Sequence, residues 1–289
     1  MTEQNRENCI ELVAGTLVRA GSTFSEDKKA AYRRAISAET DDKARWVLET
    51  ILENAEVAEK NRGPLCDDTG IPHVFLEIGP DRQVTGALLS AIREGVALGL
   101  RRLPGRPMAI MGDDAARLDQ TGGLDPDPGA LATAPIHVKS IDENVIRLHI
   151  LMFGGGPAIR GRTCRVFHKH DLQNVLDQIT AWGTEAVKDL GCSPCTLAVG
   201  IGRSQYEAAS LMLEAQVYGR YSEQSELERE ITRRINAAHI GALGLGGNTS
   251  VLGTFLRVGP QRASGVRIVS LRPCCCFEPR IASVELNCD

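Results

Sequence analysis

Aromatic side chains are scarce in this sequence, with two Trp, four Tyr and six Phe in 289 residues. Lys and Arg are dispersed rather than set in a stripe with aromatics, and the formal net charge is −4. That combination argues against a nucleic acid or an anionic membrane surface as partner. No uninterrupted apolar run approaches bilayer length. Residues 1–8 carry no basic-then-apolar signal segment, and a cytoplasmic chain is expected. Lysine is also missing where one motif requires it. The glycine-rich stretch 241–250 is a near miss to a phosphate-binding loop, but Gly247 stands at the lysine position and a strand-like run follows instead of a helix. Nucleotide binding is excluded there. A backbone cradle for a carboxylate, helped by the Thr249 and Ser250 hydroxyls, fits better.

What the chain does have in excess is cysteine. Its length allows one large domain or two smaller ones, and 43% hydrophobic with 24% charged residues is ordinary for a soluble globular protein. Nine cysteines cannot all pair within one chain, and a reducing compartment disfavours structural disulfides, so metal binding or catalysis gains weight. Cys9 lies in a helical apolar pattern and reads as core, while Cys164 and Cys288 have no metal-like context. Cys66, the pair Cys192 and Cys195, and the run Cys274, Cys275 and Cys276 are left. Cys66 sits in a bent segment, 64–72, where Pro64, Gly70 and Pro72 exclude helix and strand interiors. Asp67, Asp68 and Thr69 follow it directly. The plainer alternative is a polar loop with an incidental thiol.

Hydrophobic periodicity predicts a mixed α and β fold. Residues 1–60 read as helices: Ile10, Val13, Ala14, Leu17 and Val18 share one face, a second helix starts after Ser25, and a third starts near Asp42. They show no chemistry, and packing or subunit contact is their expected role. Residues 61–289 read as an α/β part with mixed or antiparallel sheets and loops of interest at strand ends, so that 1–289 forms a single catalytic domain. Strands are expected at 74–78, 136–141, 145–153, 196–201, 251–258 and 265–271, with helices at 88–100, from Asp171 to about Gly191, 206–217 and about 226–239. Segments 136–141 and 145–153 suggest a hairpin, and 103–128 a long loop. Gly154, Gly155 and Gly156 mark either a close approach to the main chain or a simple turn. Arg160, Arg162 and Arg165 then form a cationic cluster suited to carboxylates, with surface salt bridges as the alternative.

Three explanations compete for the cysteines. Cys192 and Cys195 have the spacing of a redox pair, but a strand follows where such pairs open a helix. A structural zinc site prefers two such knuckles, and one is present. An iron-sulfur cluster held from three separate loops is the third.

Four motifs in order carry a resemblance. Segment 66–70, Cys-Asp-Asp-Thr-Gly, is similar to the Cys-Gln-Asp-Thr-Gly motif of class I fumarate hydratases and the related tartrate dehydratases. Cys192-Ser193-Pro194 leading to Val199-Gly200-Ile201-Gly202 resembles the family's second motif, and 244–249 its Gly-Leu-Gly-Gly-x-Thr loop. Cys276, four residues before Arg280, matches the last. The similarity runs from about Asn61 to Ser283 and corresponds to the α subunit, or N-terminal half, of these enzymes. It implies a 4Fe-4S cluster with one open iron, ligated by Cys66, Cys192 and Cys276, with Cys274 or Cys275 as a shifted alternative to the last. It further implies that Asp68 polarises water or orients substrate, and that Thr69, the turn at Gly155, Arg162, Thr249 and Arg280 hold substrate carboxylates. The implied reaction is reversible loss of water from a small hydroxy-dicarboxylate such as malate or tartrate. A separate β subunit, in a heterotetramer, is expected to supply the remaining groups. Position 67 is Asp rather than Gln, Phe153 stands where many fumarate hydratases have Lys, and Gly161-Arg162 is closer to the tartrate branch. The rival expectation is a non-catalytic metal-binding or assembly module on the same scaffold.

Overall fold

The computed structural model describes residues 2–103 and 105–287, so Cys288 lies outside the described residues. In chain order the elements are α1 (Glu3–Ser22), α2 (Glu26–Ala38), α3 (Asp42–Asn61), β1 (Ile71–Ile78), α4 (Gly86–Arg102), α5 (Asp114–Asp119), β2 (His137–Ser140), β3 (Ile146–Phe153), α6 (Gly155–Ala158) and β4 (Arg162–Phe167). They continue with α7 (Leu172–Leu190), β5 (Cys195–Gly202), α8 (Gln205–Tyr218), α9 (Glu226–Asn236), β6 (Val251–Val258), β7 (Val266–Cys274) and β8 (Arg280–Glu285). The fold is mixed α and β. Side-chain oxygens at Thr2, Ser25, Thr85, Asp171, Ser204 and Ser225 accept from the first-turn N–H groups of their helices, which is why the polar residues before each apolar repeat mark the starts so well. None of the described helices is long and apolar enough to cross a membrane.

The chain divides into two compact units. One comprises Met1–Thr23, Ala55–Gly154 and Arg280–Asp289; the other Phe24–Asn54 and Gly155–Pro279. The first holds a sheet of order β2-β1-β3-β8, in which β2 pairs parallel with β1 and the other pairs are antiparallel. Val13 and Leu17 of α1 and Ile92 of α4 pack with Val74, Leu76 and Leu148 into its core. The second unit holds a sheet of order β4-β7-β5-β6, with β5 and β6 parallel. Every residue of β5 is buried, as expected of a strand covered on both faces. Leu197, Val199 and Ile201 pack with Ile179 of α7 and Ile231 of α9, while Ala198 faces Met212 of α8 together with Cys274.

Several sequence expectations change: β1 starts at Ile71 and takes in Pro72, and α5 lies inside the stretch 103–128 read as a loop. Strands 136–141 and 145–153 do not form a hairpin, because β1 lies between β2 and β3. The buried strand β3 needs a long neighbour on each side, whereas β2, with Val138 and Lys139 exposed, suits only an edge. The strand ending at Leu271 runs on to Cys274. Pro273 is tolerated because β4 stops pairing at Leu271, leaving β5 as the neighbour at that point. Two short strands were also unread: β4, hidden in the arginine cluster, and β8, which begins at Arg280.

Candidate active site

In the first unit the turn before β1 is tied down on both sides. Leu65 donates its N–H to Gly21 O at 2.9 Å. Arg106 Nε donates to Asp67 O at 3.0 Å, and the Thr69 hydroxyl donates back to Arg106 O at 3.0 Å. Cys66 Sγ lies 3.7 Å from Asp67 Oδ1 and is half-buried. Asp68 closes a local turn by accepting the Gly70 N–H at 3.1 Å, the usual way an aspartate shapes such a bend. Its carbonyl accepts from Arg280 Nη1 at 2.7 Å. Gly70 has φ +81°, and a Cβ there would stand 2.6 Å from Arg280 Nη2 and 3.1 Å from Phe153 O. Glycine is required because the arginine and the end of β3 both press against the turn.

Arg280 is 2% exposed, and its Nε has no hydrogen-bond partner among the described residues. A buried guanidinium N–H left unsatisfied costs on the order of 1–3 kcal/mol or more. An anionic ligand oxygen is the natural complement.

In the second unit two of the candidate cysteines meet. Cys276 donates its N–H to Cys192 O at 2.9 Å, joining the loop after α7 to the loop after β7. Cys192 is exposed, and the Cys276 side chain is nearly buried. The Ser193 hydroxyl donates to Gly241 O at 2.6 Å and Leu243 N to Ser193 O at 3.0 Å, so the glycine-rich loop is bound to the same place. Gly241 has φ +72°, and a Cβ there would fall 1.4 Å from Gly246 O, which leaves room for no other residue.

The neighbouring thiols are sorted by their surroundings. Cys195, the first residue of β5, is fully buried in the core, and burial pushes its thiol well up. Exposed Cys192 and inaccessible Cys195 therefore do not make a redox pair. Cys274 Sγ lies 3.2 Å from Arg272 Nη1 and 3.3 Å from Gln216 Oε1, on the α8 face of the sheet. Burial pushes it up to about 12, against the pull of the Arg272 guanidinium. The Cys276 thiol is raised by its hydrogen bond with Cys275 and by burial, while the Lys28 ammonium works the other way. Such thiols stay protonated until a metal cation draws off the proton. Among the described residues, no group of three or more His, Cys, Asp or Glu side chains forms a metal site as it stands.

The carboxylate cradle expected at 241–250 is present, and the chain itself fills it. The Glu39 carboxylate accepts from Asn248 N at 2.8 and 3.1 Å and from Thr249 N at 3.3 Å. It also accepts from Thr40 N at 2.9 Å and Asp41 N at 3.1 Å, and Glu39 is 2% exposed. Glu39→Ala is expected to leave these N–H groups buried without an acceptor, costing about 1–3 kcal/mol for each that water cannot reach. The check is a lowered denaturation midpoint with faster proteolytic nicking in 241–250. An unchanged midpoint would show that water replaces the carboxylate.

Residues 10–285 match the family model for fumarate hydratase (fumerase). The chain belongs to this family. A protein of Methanocaldococcus jannaschii provisionally named L(+)-tartrate dehydratase subunit alpha is 28% identical over 288 residues, covering 96% of this chain and 98% of the relative. The L(+)-tartrate dehydratase subunit alpha of Escherichia coli K12 is 23% identical over 289 residues, covering 95% and 91%. The same-named protein of Shigella sonnei matches to the same extent.

Within this fumarate hydratase family member, Asp68 and Thr69 lie on the Cys66 turn in the first unit and Arg280, at the start of β8, contacts it, while Cys192, Cys276 and Thr249 lie on connected loops in the second. Arg162 stands apart from these contacts, paired with Glu185 at 3.0 Å on the second unit's surface. Gly155 opens the short helix α6. Sequence reasoning missed Lys28, Tyr32 and Glu39, all in or beside a helix judged free of chemistry. A positively charged residue in phase with Phe24 and Tyr32 at helical spacing was the signal available.

Proposed function

We propose that this chain is the α subunit of an iron-sulfur-dependent hydro-lyase that reversibly removes water from a small hydroxy-dicarboxylate, with tartrate favoured and malate/fumarate as the alternative. The names of the relatives and the Gly161-Arg162 pair support tartrate. Residues 1–289 work as one cytoplasmic catalytic domain, joined by a β subunit in a heterotetramer. Cys66, Cys192 and Cys276 would hold a 4Fe-4S cluster. The donor chemistry fits, since soft thiolates are the ligands such clusters take and Cys192 and Cys276 already share a main-chain hydrogen bond. That bond is the observation that carries the reading.

When bound, such a cluster supplies Lewis acidity toward the substrate hydroxyl and carboxylate through its open iron. The chain's own residues do the rest. Arg280 offers its buried Nε–H to a substrate carboxylate and holds the turn by its bond to Asp68 O. Asp68, whose Oδ1 accepts from Gly70, orients water or substrate at the turn. Thr69, buried beside it, fixes the turn's path through Arg106. The Thr249 hydroxyl, its N–H being taken by Glu39, and the Gly155 turn contribute donors from the second unit, and Arg162 is kept as a carboxylate contact that would exchange Glu185 for substrate.

The test is anaerobic reconstitution with iron and sulfide, with and without the β partner, followed by assay against both tartrates, malate and fumarate. Water loss from tartrate is expected in the two-subunit preparation and negligible turnover in the isolated chain. An iron-loaded complex inert toward the whole panel would instead favour a non-catalytic scaffold, and full activity of the isolated chain would remove the β subunit from the proposal.

A further inference from the structure

Lys28 is 2% exposed, and an ammonium is costly to bury unless hydrogen bonds and opposite charge offset the loss of water. Its surroundings provide both. Nζ donates to Glu278 O at 2.8 Å and stands 4.2 Å from the centre of the Phe24 ring. Burial pushes its ammonium down to about 8, while the Cys275, Cys276 and Glu278 side chains pull the other way and favour the charge. One helical turn on, the Tyr32 hydroxyl donates to Cys276 O at 2.8 Å. Phe24 stacks on Tyr32 at 5.6 Å between centroids and lies 6.1 Å from Phe277. Lys28 Nζ and the Tyr32 hydroxyl thus both reach 276–278, the turn whose first N–H reaches Cys192. Packing alone would be served by an apolar side chain at position 28, without the desolvation cost.

We propose that Lys28 and Tyr32 are positioning residues for the iron-sulfur site, the fixed ammonium offsetting the negative charge of a thiolate-ligated cluster and the phenol holding the Cys276 loop closed around it. This rests on the cluster reading above. A positive charge nearby stabilises the more negative, reduced form and so raises the reduction potential. The phenol carries no charge and acts on retention alone.

The experiment compares the reconstituted two-subunit complex with its Lys28→Met, Lys28→Gln, Lys28→Arg and Tyr32→Phe variants, reading iron content, midpoint potential and the rate of iron loss to a chelator. Lys28→Met is expected to load iron with a potential more negative by about 59 mV, a tenfold shift of a one-electron equilibrium. Lys28→Gln, which keeps a donor toward Glu278 O, should shift equally and serves if the methionine variant does not fold. Lys28→Arg should restore the wild-type potential. Tyr32→Phe should keep that potential while losing iron several-fold faster. Neutral variants with the wild-type potential, or a Tyr32→Phe complex that holds iron as long as wild type, would overturn the proposal. A wild-type complex that takes up no iron fails differently: it removes the cluster itself.

Discussion

Cys192→Ser and Cys276→Ser are each expected to lose the reconstituted cluster's visible absorbance and its iron, with turnover falling about 10³-fold or more. The size follows from the Lewis acid, whose stabilisation of developing charge amounts to several kcal/mol at about 1.4 kcal/mol per decade of rate. Cys66→Ser should behave the same way. Cys274→Ser is the informative control. Its sulfur is engaged by Arg272 and Gln216 on the α8 face, so the variant should lose some stability and keep its iron. Loss of iron in Cys274→Ser, with retention in Cys276→Ser, would move the ligand two residues back along the chain. Iron measurement on the four purified variants decides it.

Glu278→Ala is expected to destabilise the chain by about 3–5 kcal/mol, the cost of leaving one partner of a buried ion pair alone. Arg272 and Glu278 are each 1% exposed and meet at 3.0 Å. The same carboxylate accepts the Cys275 N–H at 3.2 Å, and Glu278 N donates to Cys275 O at 2.8 Å. The pair therefore braces the turn that carries Cys276 as well as the core behind it. Arg272→Met with Glu278→Leu should cost less than the sum of the single changes, because no charge is then stranded. Urea denaturation of the four proteins gives the coupling directly. Strict additivity would mean that the pair is not a unit.

Local signals were legible in the sequence where the chemistry is local. Helix starts at Ser25, Asp171 and Ser225 announce themselves because a polar side chain must satisfy the first-turn N–H groups. Strand β6, read as 251–258, is found at Val251–Val258, since a long apolar run bounded by turn residues has few other fates. The order of the motifs likewise pointed to the family without any coordinates, and glycine at position 247, where a phosphate loop requires lysine, argued against such a loop.

Pairing across distance was decided by the tertiary structure. Proximity in sequence favoured a hairpin between β2 and β3, but the partner of a strand is chosen by which neighbour buries more of it, and that is β1. The carboxylate cradle at 247–249 could be foreseen, yet its occupant, Glu39, comes from another part of the chain. Lys28 and Tyr32 look like ordinary helix residues until the turn at 276–278 is folded against them. Motif and periodicity record what each residue asks of its immediate neighbours. What a buried charge is matched with depends on contacts hundreds of residues apart, and folding alone brings those together.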